Sequence, residues 1–206
     1  MKELLIGYVS RHGATDLNDQ DCFRSWMDVP LNAKGIQQAK EAARWLEGKH
    51  VQRIISSPLL RAFVTADYAA KPKGLQVYQH RGLFPWRLGI FSGLSKREHQ
   101  DALRLFVKDP TVSIPNGESL RAFEDRQYAF WQEALKRARA AGITLFVAHT
   151  SNVVALENFT KGSNSVEPEN SDTVLPGGIA AIYFNGRTHR IDPVFGQEEP
   201  AKFGGS

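Results

Sequence analysis

The sequence predicts an α/β fold, a three-layer α/β/α sandwich with a mostly parallel sheet and a small inserted cap. Three observations carry this reading. Short apolar runs recur at Leu4 to Ser10, Arg53 to Ser57 and Ile143 to Ala148, the signature of strands buried on both faces. Between them lie segments whose apolar residues repeat at helical spacing. The 206 residues, 42% hydrophobic, fit one domain or one domain with a modest insertion. Strands alternating with helices give a largely parallel sheet covered by helices.

In chain order, Leu4 to Ser10 is the first strand, interrupted only by Gly7 and Tyr8. Residues 11 to 32 are polar, aromatic and rich in Asp and Asn, the composition of a long functional loop. Ala33 to Gly48 is a helix with Ile36, Ala39, Ala43 and Leu46 on one face and Gly48 as its stop. Arg53 to Ser57 is a second strand, and Pro58 takes the first turn of a helix reaching Ala70. Leu75 to His80 makes a short strand before an irregular stretch containing Pro85, Gly89 and Gly93. Ser95 caps a helix to Lys108, with Glu98 as its capping-box partner. After a loop over Pro110 to Gly117, Glu118 to Ala141 forms a long amphipathic helix carrying Leu120, Phe123, Phe130, Ala134 and Ala138 on one face. Ile143 to Ala148 is a third strand, Ser151 to Phe159 a short helix, and Lys161 to Asp172 a polar loop. Gly178 to Phe184 pairs with His189 to Phe195 across the Asn185-Gly186 turn, and the tail frays from Gly196. Residues 1–206 thus form one domain with a cap-like insertion around 81–117.

Composition excludes several classes. The net charge is +4, but no run of five or six basic residues and no aromatic-basic RNA motif occurs, so no nucleic-acid partner is expected. The apolar runs fall far short of the roughly 20 residues of a membrane span. The opening Met-Lys-Glu has no apolar core or cleavage site behind it, which predicts no signal peptide and a cytoplasmic protein. The single Cys22 excludes an internal disulfide and fits a reducing compartment. Without secretion, the sequon Asn158-Phe159-Thr160 is a chance match. Asp and Glu are scattered rather than set at ligand spacing, and no Gly-Lys-Ser/Thr nucleotide loop occurs, so neither a metal nor a cofactor is expected.

Ligands of such sheets gather beyond the carboxyl ends of the strands. Strand one ends in Ser10-Arg11-His12-Gly13, strand two runs through Ser56-Ser57-Pro58 toward Arg61, and strand three ends in Ala148-His149-Thr150. Each residue alone has an ordinary reading: a strand-end histidine as exposed or interior, an arginine as a helix-surface charge. Together they bring two imidazoles and two guanidiniums to one rim. Histidine is a competent nucleophile toward phosphorus, arginine a planar fork for phosphate oxygens, and a helix opening near Thr150 directs N–H groups at an anion.

These residues carry a resemblance to the histidine phosphatase superfamily, which includes the cofactor-dependent phosphoglycerate mutases. The Arg-His-Gly signature stands as Arg11-His12-Gly13, followed by Ala14-Thr15 and Asn18. Trp26, Asp28, Pro30-Leu31, Gly35 and Gln38-Ala39 follow the family's order, and Ser56 to Ala66 is similar to its second phosphate-arginine motif. Asn116-Gly117-Glu118-Ser119 resembles its Gly-Gly-Glu-Ser turn and Val147-Ala148-His149 its second histidine. The resemblance implies that His12 is transiently phosphorylated and that Arg11, Arg61 and His149 hold the phosphoryl oxygens. Asn18, Thr15 and Thr150 would be further substrate contacts.

The departures concern the proton donor. Pro85 stands where the family's glutamate acid would be, and Ser92 replaces a second glutamate. Thr150 stands where the acid-phosphatase branch places Asp, and Ala14 where a glutamate often follows the signature. Three consequences are open: an acid from elsewhere (Glu118 or Asp21, with Asp16 and Asp19), a leaving group needing little protonation, or loss of activity with retained phosphate binding. The expected function is hydrolysis of a small phosphorylated substrate, a phosphomonoester or phosphoanhydride, through a phosphohistidine. The alternatives are a weakened member that binds a phosphorylated ligand or partner, and a mutase-like phosphotransferase.

Overall fold

The computed structural model describes residues 3–162 and 174–196. Twelve elements follow in order: β1 (Leu4–Arg11), α1 (Asp16–Asp19), α2 (Ala33–Glu47), β2 (Arg53–Ser56), α3 (Leu60–Ala70), β3 (Val77–Gln79), α4 (Lys96–Lys108), α5 (Leu120–Ala141), β4 (Thr144–Ala148), α6 (Thr150–Lys161), β5 (Ile179–Phe184) and β6 (His189–Phe195). The strands form one six-stranded sheet in the order β3-β2-β4-β1-β5-β6. Strands β1 to β4 run parallel, and only β5 opposes its neighbours β1 and β6. This is the expected α/β architecture.

Side-chain alternation along the strands splits the core in two. Val9, Phe146, Ala148, Ala180 and Ile182 pack under α5 and α6 with Trp131 and Leu135. Their sequence neighbours Tyr8, Leu145, Val147 and Ala181 point the other way, onto Leu46 of α2 and Ala62 and Ala66 of α3. Both faces are therefore covered, which is why the predicted strands read as continuous apolar runs. A third cluster, built on Phe23, Trp86, Leu88, Phe91, Leu103, Ile114 and Phe123, holds the segment between β3 and α5 together.

Local expectations fail where a distant partner intervenes. Helix α3 opens at Leu60, not Pro58, because Ser57 Oγ accepts the Leu59 N–H and Asp28 Oδ1 accepts the Leu60 N–H. Ser95 is the N-cap of α4, but its hydroxyl makes no cap bond and the box with Glu98 does not form. The start of α4 is tied instead to the 11–32 loop: Ser95 pairs with Cys22, and the Lys96 N–H donates to the Asp21 carbonyl. Helix α5 begins at Leu120, capped by Ser119, whose hydroxyl accepts the Ala122 N–H. The β5–β6 turn spans Asn185 to Thr188, with Asn185 Oδ1 accepting from the Arg187 and Thr188 N–H groups. Most of the loop expected over 161–172, and the tail beyond Gly196, lie outside the described residues.

Candidate active site

Strand register builds the site. Arg11 of β1 faces Ala148 of β4, so the next residues, His12 and His149, leave the sheet together. Their ring centroids are 5.0 Å apart, and the His12 N–H donates to the Ala148 carbonyl at 3.0 Å. On the other side of β4, Ser56 faces Val147, which brings Ser57 against His149. The loop after β1 lies flat on α2 because both contacts are glycine: a Cβ on Gly13 would sit 2.3 Å from the Gly35 carbonyl oxygen. The Gly13 N–H donates to Thr65 Oγ1 and the Ala14 N–H to Gln38 Oε1.

The hydrogen bonds assign both imidazole tautomers. His12 Nδ1 lies 2.7 Å from the Gly13 carbonyl, which can only accept, so Nδ1 carries the proton. Arg61 Nε donates to His12 Nε2 at 3.3 Å, so the Nε2 lone pair points toward the guanidinium. Ser57 Oγ accepts the Leu59 N–H and sits 2.8 Å from His149 Nε2. Its hydroxyl proton therefore goes to Nε2, which leaves the His149 proton on Nδ1. That Nδ1 is buried and has no partner among the described residues.

His12 is 1% exposed and His149 3%. Burial first, and then the Arg61 guanidinium, hold both imidazoles well below the ordinary value of 6.5, with Arg24 and Arg11 adding to the effect. Both rings are thus neutral at physiological pH. Arg61, 1% exposed, sits in the first turn of α3 and is gripped by carbonyls of the 23–28 segment: Nη1 donates to Met27 at 2.7 Å and Nη2 to Ser25 at 2.8 Å. Arg11 is buried, with Nη1 3.5 Å from the Val174 carbonyl.

The cavity over the histidines is completed by Arg24, Ser25, Pro85, Thr150 and Ser151. Trp86 N–H donates to Ser151 Oγ at 3.2 Å, and Asn152 Nδ2 donates to the Phe84 carbonyl at 3.1 Å, so the Pro85 loop is pinned to the start of α6. Sequence reasoning missed Arg24 and Ser57. Arg24 is the one arginine between Arg11 and α2, in a loop correctly read as special. Ser57 stood in a recognised motif without a role.

Other expected residues lie elsewhere. Asn18 Oδ1 accepts from the Thr15 N–H and hydroxyl, and lines a separate groove with Ala14, Lys34 and Gln38. Glu118 is held by Arg126, Oε1 to Nη2 at 2.6 Å and Oε2 to Nε at 3.1 Å, and also accepts the Arg87 N–H. Asp21 is exposed, 3.7 Å from Lys96, and Asp19 accepts from Asn32. Among the described residues no carboxylate lines the His12 cavity.

Comparison with known proteins agrees with this geometry. The sequence matches the histidine phosphatase superfamily (branch 1) over residues 8–165. It is 31% identical over 132 residues to phosphoserine phosphatase 1 of Hydrogenobacter thermophilus, covering 62% of this chain and 63% of that protein. It is 25% identical over 213 residues to phosphoglycerate mutase 1 of Saccharomyces cerevisiae, covering 84% of each. The fold superposes on the alpha-ribazole phosphatase of Shigella flexneri with a TM-score of 0.78 and 24% identity, covering 98% of this chain and 100% of that one. With residues 8–165 matched and the paired histidines standing at the rim where the family's two motifs fall, the chain belongs to the histidine phosphatase superfamily.

Proposed function

We propose that the protein is a phosphatase that hydrolyses a small phosphorylated substrate, a phosphomonoester or phosphoanhydride, through phospho-His12. The observation that carries this reading is the His12 tautomer. With Nδ1–H tied to the Gly13 carbonyl, Nε2 presents its lone pair beside Arg61 in a buried, neutral ring. His12 Nε2 attacks phosphorus. Arg61 and Arg11 neutralise the equatorial oxygens, and His149 Nδ1–H, without another partner, donates to one of them. Water then attacks the phosphohistidine, the P–N electron pair returns to Nε2, and inorganic phosphate leaves. Thr150 lines the cavity and is the proposed additional oxygen contact, whereas Thr15 and Asn18 are assigned to holding the loop behind His12.

Glu118 and Asp21 are not proposed as the acid, since Arg126 and Lys96 engage them outside the cavity wall. The reaction is proposed to need no metal: among the described residues no three His, Cys, Asp or Glu side chains come together. Among those residues no helix is long and apolar enough to cross a membrane, and free Cys22 fits a cytoplasmic location. We read the 81–117 segment as a cap on this one domain, since Pro85 closes the cavity. The similarity to a phosphoglycerate mutase supports the second reading, phosphotransfer from phospho-His12 to another hydroxyl. Phosphate release from 4-nitrophenyl phosphate by wild type and by His12→Ala tests the reading; equal rates would refute it.

A further inference from the structure

We infer that Arg24 binds the leaving group and that this group is itself a phosphate, so the substrate class is a phosphoanhydride such as a diphosphate. The inference rests on the phospho-His12 reading and names its substrate. Arg24 is 7% exposed and shares the cavity with His12 and His149. Its charge reaches both imidazoles, helping to depress each.

The segment that carries Arg24 is built to hold it. Phe23 is locked in the apolar cluster, and its backbone pairs with Leu94 and Gly93. Ser25 adopts a left-handed backbone, φ +46°, unusual outside glycine. It is kept there by its carbonyl on Arg61 and its hydroxyl between the Leu88 N–H and the Trp86 carbonyl. A strained residue fixed by four partners, adjacent to a cavity-lining arginine, marks a preorganised binding element.

Two independent observations set the leaving group. A transferring phosphoryl group carries nearly two negative charges, matched by Arg11 and Arg61, so a third guanidinium on the same cavity matches a charge on the next group. Pro85 and the hydroxyls of Ser25, Thr150 and Ser151 are the other lining groups besides the histidines and arginines, and none is a useful acid. A guanidinium cannot surrender a proton, but it can hold an oxyanion. The leaving oxygen therefore departs as an anion, which suits a phosphate, with a second pKa of about 6, and not an alkoxide.

The step balances without an added proton. His12 Nε2 forms the P–N bond to the terminal phosphorus. The bond from that phosphorus to the bridging oxygen breaks, and its electron pair stays on that oxygen, now part of the departing phosphate held by Arg24. Hydrolysis of the phosphohistidine follows as above.

The test compares kcat/KM for inorganic pyrophosphate, 4-nitrophenyl phosphate and phosphoserine in wild type, Arg24→Gln and Arg24→Lys. In wild type, pyrophosphate is turned over about 100-fold better than phosphoserine. In Arg24→Gln the ratio of pyrophosphate to nitrophenyl phosphate falls by about 30-fold or more, and Arg24→Lys restores part of it. An unchanged ratio would show that Arg24 acts on the transferring phosphoryl group and overturn the assignment. Phosphoserine matching pyrophosphate in wild type would overturn the substrate class and make the anion a carboxylate. Failure of all three substrates to phosphorylate His12 would overturn the parent reading itself; nitrophenyl phosphate, which needs neither acid nor Arg24 contact to its leaving group, isolates that case.

Discussion

His12 and His149 stand with ring centroids 5.0 Å apart because Arg11 and Ala148, the residues before them, are register partners on parallel strands. A one-residue slip of β1 against β4 would turn every side chain of β1 to the opposite face. The apolar alternation that fills both core clusters therefore also aligns the two imidazoles.

Ser57 fixes the orientation of His149. Ser57→Ala removes the 2.8 Å bond to Nε2 and frees the ring to take the other tautomer. Turnover is expected to fall by about 10-fold with a smaller change in KM. Steady-state kinetics would show it, and Ser57→Thr should recover most of the rate. No change in kcat would mean that His149 is oriented by something else.

Arg61→Lys is expected to lower kcat/KM by about 100-fold or more, because a point charge cannot donate at once to Met27, Ser25 and the reacting centre. Arg53→Lys, at the start of β2 away from the cavity, is the control. Equal small losses would place Arg61 outside the chemistry.

Arg126 joins Glu118 to the Phe84 and Pro85 carbonyls, at 2.9 and 2.8 Å. Arg126→Met leaves a carboxylate and two carbonyls without their donor, a cost of about 2 kcal/mol in urea unfolding. Glu118→Gln keeps a hydrogen-bond acceptor and should cost about half as much. A large loss of turnover in Glu118→Gln with unchanged stability would revive it as an acid.

Two neutral buried histidines make stability depend on pH. Their folded pKa lies below the ordinary 6.5, so the unfolded chain takes up protons first as pH falls. Their contribution is fully present above about 6.5 and is lost on acidification toward the folded pKa. Urea unfolding between pH 7.5 and 5 should show stability declining below 6.5, with a shallower decline in His12→Asn/His149→Asn. Parallel curves would mean that the rings are charged in the folded protein.

Chelation should leave turnover intact. Dialysis against EDTA is expected to change kcat by less than about twofold, since the charge on phosphate is met by guanidiniums. A large loss restored by magnesium or zinc would contradict this.

What the sequence disclosed was local or periodic. β1 and β4 were legible because strands covered on both faces are apolar at every position, and His12 and His149 because they follow those strands directly. What it hid was long-range pairing. Ser95 forgoes its capping box for a bridge to Cys22, 73 positions earlier. The partner of Glu118 is Arg126, eight positions on, outside the i+4 spacing that a helix displays. Arg24 becomes a site residue only because Phe23 and Ser25 are clamped by cap residues.

The most direct test of the account is the site of phosphorylation. Protein mixed with substrate and quenched without acid should show one added phosphoryl group by intact mass spectrometry, located on His12 by peptide mapping and absent in His12→Ala. A phosphoryl group on His149, or turnover in which neither His12 nor any other residue is ever labelled, would contradict it.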